Sequence, residues 1–289
     1  MSRTGAENRS ADEIRAHYVV ERELASRLRE AGPDERRELY GAVYDELFRR
    51  VPSHPQLAEK GEPEGRQREA ARQFGLVERF LHDGATFLEL GAGDLAVSLR
   101  VAHQARKVFA IEVSHEVTAD LQLPPNVELV MTDGVSVEVP PGSVDVAYSH
   151  QLMEHLHPDD AREQLENIFR ALAPGGVYVC VTPNRLSGPH DVSKYFDDVA
   201  SGFHLREYTV AELTGLFRSV GFTGLRALLG GRGSYVAVPT RPVRAYETAL
   251  GAAPARMRRA LGGRMPFRVP LGVGIVGRKP GGQARPSRS

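Results

Sequence analysis

At 289 residues the chain is long enough to bury a full core, as one domain with extensions or as two small ones. Lysine plus arginine and aspartate plus glutamate both total 37, so the formal charge is zero and the electrostatic footprint of a general nucleic-acid binder is missing. The single cysteine, Cys180, excludes an internal disulfide framework and a cysteine-based zinc cluster. It lies in the apolar run Val177-Tyr178-Val179-Cys180-Val181 and reads as a small core residue. The polar N-terminus does not resemble a signal sequence, and no later stretch is long enough to span a bilayer, so the expectation is a soluble, cytoplasmic protein.

The first eighty residues read as helix. Ser10 with Glu13 has the capping-box spacing, and a charged stretch runs to Glu30 before Gly32 and Pro33 break it. Leu39, Val43 and Leu47 then recur on one face, flanked by Tyr40, Tyr44 and Phe48; this aromatic stripe reads as core rather than as a lid. Pro52 and Pro55 stop that helix. A third begins near Glu64 and carries Ala70, Phe74, Val77 and Leu81, ending by Gly84.

Strand and helix alternate from there. Ala85 to Leu90 reads as the first strand, and Gly91-Ala92-Gly93 as a tight turn opening a helix over Ala96 to Ala102. Val108 to Val113, Val127 to Met131 and Val144 to Ser149 read as the second, third and fourth strands. Pro158 opens a helix bearing Leu165, Ile168, Phe169 and Leu172, ended by Gly175 and Gly176, and a fifth strand surrounds Val179. Thr209 and Glu212 cap a helix stopped by Gly221. Two further strands are expected, Leu225 to Leu229 with a continuation toward Val238, and Gly272 to Gly277. A helical insertion lies between them at about 242–262. Basic residues among Gly, Pro and Ser, including Arg285 and Arg288, make 281–289 a disordered tail. Short Gly- or Pro-marked connections make the sheet mostly parallel with helices on both faces, so a ligand belongs at the strands' carboxyl ends, beside Gly91.

The chemistry-bearing residues gather at that edge. Gly91 and Gly93 allow positive φ and close ligand approach. Glu112 ends the second strand, 21 positions after Gly91, and suits the hydroxyls of a ribose bound over the turn. Asp133, after the third strand, can accept from an exocyclic adenine amine. These features fit NAD and S-adenosylmethionine alike. Glu89, two residues before the first glycine, repels a pyrophosphate and attracts an amino group and a sulfonium.

With these residues the chain resembles a bacterial class I S-adenosylmethionine-dependent methyltransferase of the small-molecule type, similar to methyltransferase type 11. The matching pieces are Glu89-Leu90-Gly91-Ala92-Gly93, Glu112, Asp133, Val144 to Ser149 leading into Met153-Glu154-His155-Leu156, and Leu172-Ala173-Pro174-Gly175-Gly176. Ala96 departs from the pattern, in which a third glycine is common. The resemblance implies a Rossmann-like seven-stranded, mostly parallel sheet whose last strand is antiparallel. It implies a methyltransferase domain at 64–280, after a helical extension at 1–63. It further implies that Glu89, Gly91, Ala92 and Gly93 hold the methionine end of the cofactor, Glu112 the ribose, and Asp133 with Gly134 the adenine, while Ser149 and His150 border the sulfonium.

For a hydroxyl acceptor a general base is needed, and the candidates are His190, His155 and His150. The loop Pro183 to Asp191, with Lys194, Tyr195, Asp197, His204, Arg206 and Tyr208, is the expected acceptor site. No metal-ligand cluster is apparent. The expected activity is methyl transfer to a small molecule, at an oxygen of a sugar or secondary metabolite, with neither nucleic acid nor membrane as partner. An NAD-dependent oxidoreductase and a non-catalytic cofactor-binding module are the alternatives.

Overall fold

A computed structural model describes residues 9–55, 57, 63–118, 122–231, 234–262, 264 and 269–281. Its eight strands are β1 (Thr86–Leu90), β2 (Lys107–Glu112), β3 (Val127–Met131), β4 (Val144–His150), β5 (Leu172–Thr182), β6 (Thr223–Gly231), β7 (Ser234–Pro239) and β8 (Val273–Arg278). They form one sheet in the order β3-β2-β1-β4-β5-β8-β6-β7. The pairs from β3 through β5 are parallel, whereas β8 runs antiparallel to both β5 and β6.

Two expectations are corrected. The apolar stretch from Leu225 toward Val238 is not one strand: it folds back as the β6–β7 hairpin, so the sheet has eight strands rather than seven. Leu172 does not belong to the preceding helix. Pro174 biases Ala173, the residue before it, toward extended backbone, and Leu172 opens β5 by pairing with Val144. The expected tail beyond Gly281 lies outside the described residues.

Helices α1 (Ala11–Glu30), α2 (Pro33–Arg50), α3 (Pro63–Val77), α4 (Ala96–Val101), α5 (Pro158–Ala171), α6 (Val210–Val220), α7 (Thr240–Gly251) and α8 (Ala255–Gly262) surround the sheet. Both capping boxes are present. Ser10 Oγ accepts from the Glu13 amide at 3.2 Å, and Thr209 Oγ1 from the Glu212 amide at 3.1 Å. Gly221, at φ 115, closes α6 in the left-handed conformation. Among the described residues no helix is long and apolar enough to cross a membrane.

Successive strand side chains point to opposite faces, and the buried residues divide accordingly. Phe87, Val108, Ala110, Val146, Tyr148 and Val179 pack with Phe74 and Val77 of α3 and with α4. Leu88, Leu90, Ile111, Ala147, Tyr178 and Cys180 pack on the other face with α5, α6 and the N-terminal pair α1–α2.

Helix α2 is fastened by polar bonds as well as packing. Tyr40 donates to Asp160 Oδ2 at 2.7 Å and accepts from the His157 amide at 2.9 Å. Buried Arg36 forms a fork on Asp160, at 2.6 and 2.7 Å. These bonds set α2 across the loops that follow β2 and β3, with Asp45 accepting from Ser114 Oγ at 2.7 Å. The tyrosine stripe is therefore core, as expected. Helix α7 serves the far side: Glu247 accepts from Asn184 Nδ2 at 2.8 Å and from the Val210 and Ala211 amides that open α6.

Candidate active site

The glycine turn sits at the carboxyl end of β1. Gly91 and Gly93 have φ of +66° and +56°, and a Cβ on Gly91 would lie 3.2 Å from Leu152 Cδ1. Leu95, at φ 59, enters α4 in the left-handed conformation, which a branched residue rarely holds without local constraint.

Three carboxylates surround this turn. Glu112 curls back so that Oε2 accepts from the Gly93 amide at 2.8 Å, while Oε1 accepts from the Val113 and Ser114 amides at 2.7 and 3.1 Å. Glu89 is buried on β1 and accepts from Ser98 Oγ of α4 at 2.5 Å. Burial pushes its pKa up to about 8 against that hydrogen bond, and the charges of Asp94 and Glu112 raise it further. Asp94 accepts from the Ala96 amide at 3.1 Å and meets Arg66 at 3.5 Å. The amide of Ala92 is bound to Ile111 O at 3.0 Å, so the Ala92 and Gly93 donors are already committed within the protein.

Asp133 and Gly134 follow β3. Asp133 accepts from the Val135 and Ser136 amides, from Ser136 Oγ and from Arg37 at 2.7 Å. Burial works against the Asp133 charge, but these hydrogen bonds outweigh it and lower the pKa. The Tyr40 ring lies against Gly134, 3.2 Å from where a Cβ would stand. Ser149 is fully buried and its hydroxyl is bonded to Tyr178 OH at 2.7 Å, facing the core.

The three candidate bases part company. His150 shares the strand face of Tyr148, toward α3, and burial lowers its pKa. His190 is exposed; its Nε2 lies 3.2 Å from Asn184 O, and its backbone amide donates to Glu207 Oε1 at 2.7 Å. His155 stands with His204 in an edge-on pair, ring centroids 4.9 Å apart. Its Nδ1 faces Phe203 O at 3.0 Å, and burial, with His204 nearby, pushes its pKa down to about 3.

A network that the sequence does not announce joins this pair. Glu154 is fully buried, accepts from Thr182 Oγ1 at 2.8 Å, and is pushed by burial up to about 7. Its carbonyl accepts from the Arg206 amide at 3.1 Å. His204 Nδ1 lies 2.8 Å from Glu207 Oε1. Burial opposes the His204 cation, yet the Glu207 bond and the Glu154 charge raise its pKa above the usual value. His204, Arg206 and Glu207 line a cavity of about 370 Å³ together with Gly188, Pro189 and Arg185. The other half of the expected acceptor cluster serves instead to dock this segment on α1. Asp197 accepts from Tyr18 at 2.8 Å, and Phe196 stacks on Tyr18 at 4.2 Å. The sequence does not single out Asp94, Glu154 or Glu207 as site residues, although each adjoins, or stands three residues from, one that it does.

Residues 88–180 match the family model described as a methyltransferase domain. The chain is 33% identical over 140 residues to a probable S-adenosylmethionine-dependent methyltransferase of Mycolicibacterium smegmatis, covering 48% of this chain and 52% of that protein. A probable S-adenosylmethionine-dependent methyltransferase of Mycobacterium tuberculosis is 33% identical over 136 residues, 47% of each chain. The chain thus spans about half the length of the curated relatives it matches. In fold it is similar to a putative methyltransferase of Haloferax volcanii solved with the Trm112 methyltransferase activator, at TM-score 0.53 and 19% identity, covering 77% of this chain and 94% of that one. It is also similar to a phosphoethanolamine N-methyltransferase of Haemonchus contortus, at TM-score 0.51 and 15% identity, covering 72% and 52%. The glycine turn, Glu112 and β4 all lie within the span, residues 88–180, that matches the methyltransferase-domain model.

Proposed function

We propose that the protein transfers a methyl group from S-adenosylmethionine to a hydroxyl oxygen of a small polar molecule, of the sugar or secondary-metabolite kind. One observation carries the choice of donor: Glu89, Asp94 and Glu112 crowd the glycine turn, and the Ala92 and Gly93 amides are already bonded within the protein. A diphosphate needs free amides and positive potential at such a turn. Asp94 and Glu112, with Glu89 able to ionise when a cation binds beside it, suit a ligand bearing an ammonium and a sulfonium, and they count against the nicotinamide alternative.

In this reading Glu89 and the Gly91–Gly93 backbone hold the methionine end, Glu112 the ribose, and the Asp133–Gly134 loop the adenine. The cofactor, when bound, supplies a methyl group made electrophilic by its sulfonium. The protein's share is alignment and proton removal. The acceptor enters the cavity beside His204, whose ring Glu207 fixes, and its hydroxyl proton is lost there.

The test is incubation with S-adenosylmethionine and a panel of hydroxylated metabolites, read by mass spectrometry. Formation of S-adenosylhomocysteine with an equal amount of O-methylated product supports the reading. Cofactor binding with no turnover across the panel favours the non-catalytic module.

A further inference from the structure

Glu154, His155 and His204 each present one ligand atom, and these atoms lie within 4.8 Å of one another. The outer shell is what distinguishes the group from a chance cluster. His155 Nδ1 faces the Phe203 carbonyl at 3.0 Å and His204 Nδ1 faces the Glu207 carboxylate at 2.8 Å. Both contacts suit a proton on Nδ1, so Nε2 is the nitrogen that each ring can offer to a ligand. Ligating histidines are oriented in this way, through a carbonyl or carboxylate on the outer nitrogen. Glu154 Oε2 is held by Thr182, whereas Oε1, inside a fully buried side chain, has no hydrogen-bond partner among the described residues. A buried carboxylate oxygen without a donor is costly unless something positive meets it.

A second cluster, His17, Glu21 and His54, shows the contrast. There His17 bonds Glu21 through Nε2 at 2.7 Å and Arg9 through Nδ1 at 2.6 Å, so both ring nitrogens are committed and an arginine stands where a cation would compete.

We infer that Glu154, His155 Nε2 and His204 Nε2 form a site for a divalent first-row transition-metal ion. Two imidazoles and one carboxylate are a donor set for zinc, iron or cobalt, and leave positions open for oxygen ligands. His204 also lines the 370 Å³ cavity assigned to the acceptor. What the ion does there rests on the methyl-transfer reading. A hydroxyl bound to it loses its proton to water more readily, and the oxygen is held in place.

The test is titration of tag-free, chelator-treated full-length protein with Co²⁺, followed by visible absorption and by displacement with Zn²⁺. One equivalent of Co²⁺ with ligand-field bands is expected, with binding lost in Glu154→Gln and His204→Asn and kept in His17→Asn. Glu207→Gln, which takes the charge from the outer partner of His204 but keeps an acceptor oxygen, should weaken binding by about 10- to 100-fold. Should a variant fail to fold, pulsed electron spin resonance of Cu²⁺-loaded wild type counts the imidazoles directly, and two are required. The inference is overturned by absence of binding in the wild type, by binding that survives both ligand substitutions, by loss confined to His17→Asn, or by fewer than two imidazoles. S-adenosylmethionine is titrated alongside: cofactor binding without metal binding defeats this inference alone, and metal binding without cofactor binding defeats the methyl-transfer reading alone.

Discussion

Glu112 and Gly93, 19 residues apart, are joined by a 2.8 Å hydrogen bond from the glycine amide to Oε2, which ties the end of β2 to the turn after β1. The bond fixes the carboxylate over the turn before any ligand arrives, and such preorganisation lowers the cost of binding. Glu112→Ala removes this anchor together with the charged acceptor proposed for a ribose. A charged hydrogen bond is worth about 1.5–3 kcal/mol. Cofactor affinity by calorimetry should therefore fall by about tenfold or more.

Gly91→Val meets two obstacles. The backbone there is left-handed, which costs a non-glycine residue about 1–3 kcal/mol, and the new Cβ would press on Leu152. Cofactor binding should be lost, and the thermal midpoint should drop.

Glu89 gives a proton-linked signature. With its pKa raised to about 8 by burial, it is mostly protonated at pH 7 in the free protein. A cationic ligand beside it favours the ionised form, so binding at pH 7 should release a proton. Calorimetry in buffers of different ionisation enthalpy measures that release, and Glu89→Gln should abolish it. The stability sign also follows. The folded state holds this proton from about pH 4.5 to 8 while the unfolded state does not, so the Glu89 contribution to stability falls as pH rises through that window. Glu89→Gln should remove this slope, as urea melts at several pH values would show.

The legibility of these features in the sequence follows the range of the forces behind them. The capping boxes at Ser10 and Thr209, the glycine turn and the stop at Gly221 are set by residues within a few positions of one another, and all read correctly. Helical spacing places Leu172 in α5, because spacing alone cannot anticipate its pairing with Val144 across the sheet. The β6–β7 hairpin reads as one strand for the same reason. The placement of Glu89 and Glu112 beside the glycine turn is legible because their spacing from the glycines is local or set by one βαβ unit. Glu154, His204 and Glu207 meet through loop packing around Phe203 and the Arg206 amide, which leaves no periodic trace.

Glu207 separates a positioning role from a cofactor-binding one. Glu207→Gln should lower kcat by about tenfold to a hundredfold, the scale on which weakening the partner that orients a site histidine acts, with cofactor affinity unchanged. His190→Ala should cost far less, because His190 holds Glu207 through its backbone amide, which the substitution keeps.

Tyr40→Phe probes the docking of α2. It strips a donor from Asp160 and an acceptor from the His157 amide in a buried setting. The loss should be about 1–3 kcal/mol in denaturant melts.

Calorimetric titration of the full-length protein with S-adenosylmethionine and, separately, with NADH tests the assignment of the carboxylate-ringed turn most directly. Saturable one-to-one binding of S-adenosylmethionine, weakened in Glu112→Ala and with no comparable heat from NADH, is the predicted result. Tight NADH binding with none for S-adenosylmethionine would contradict it.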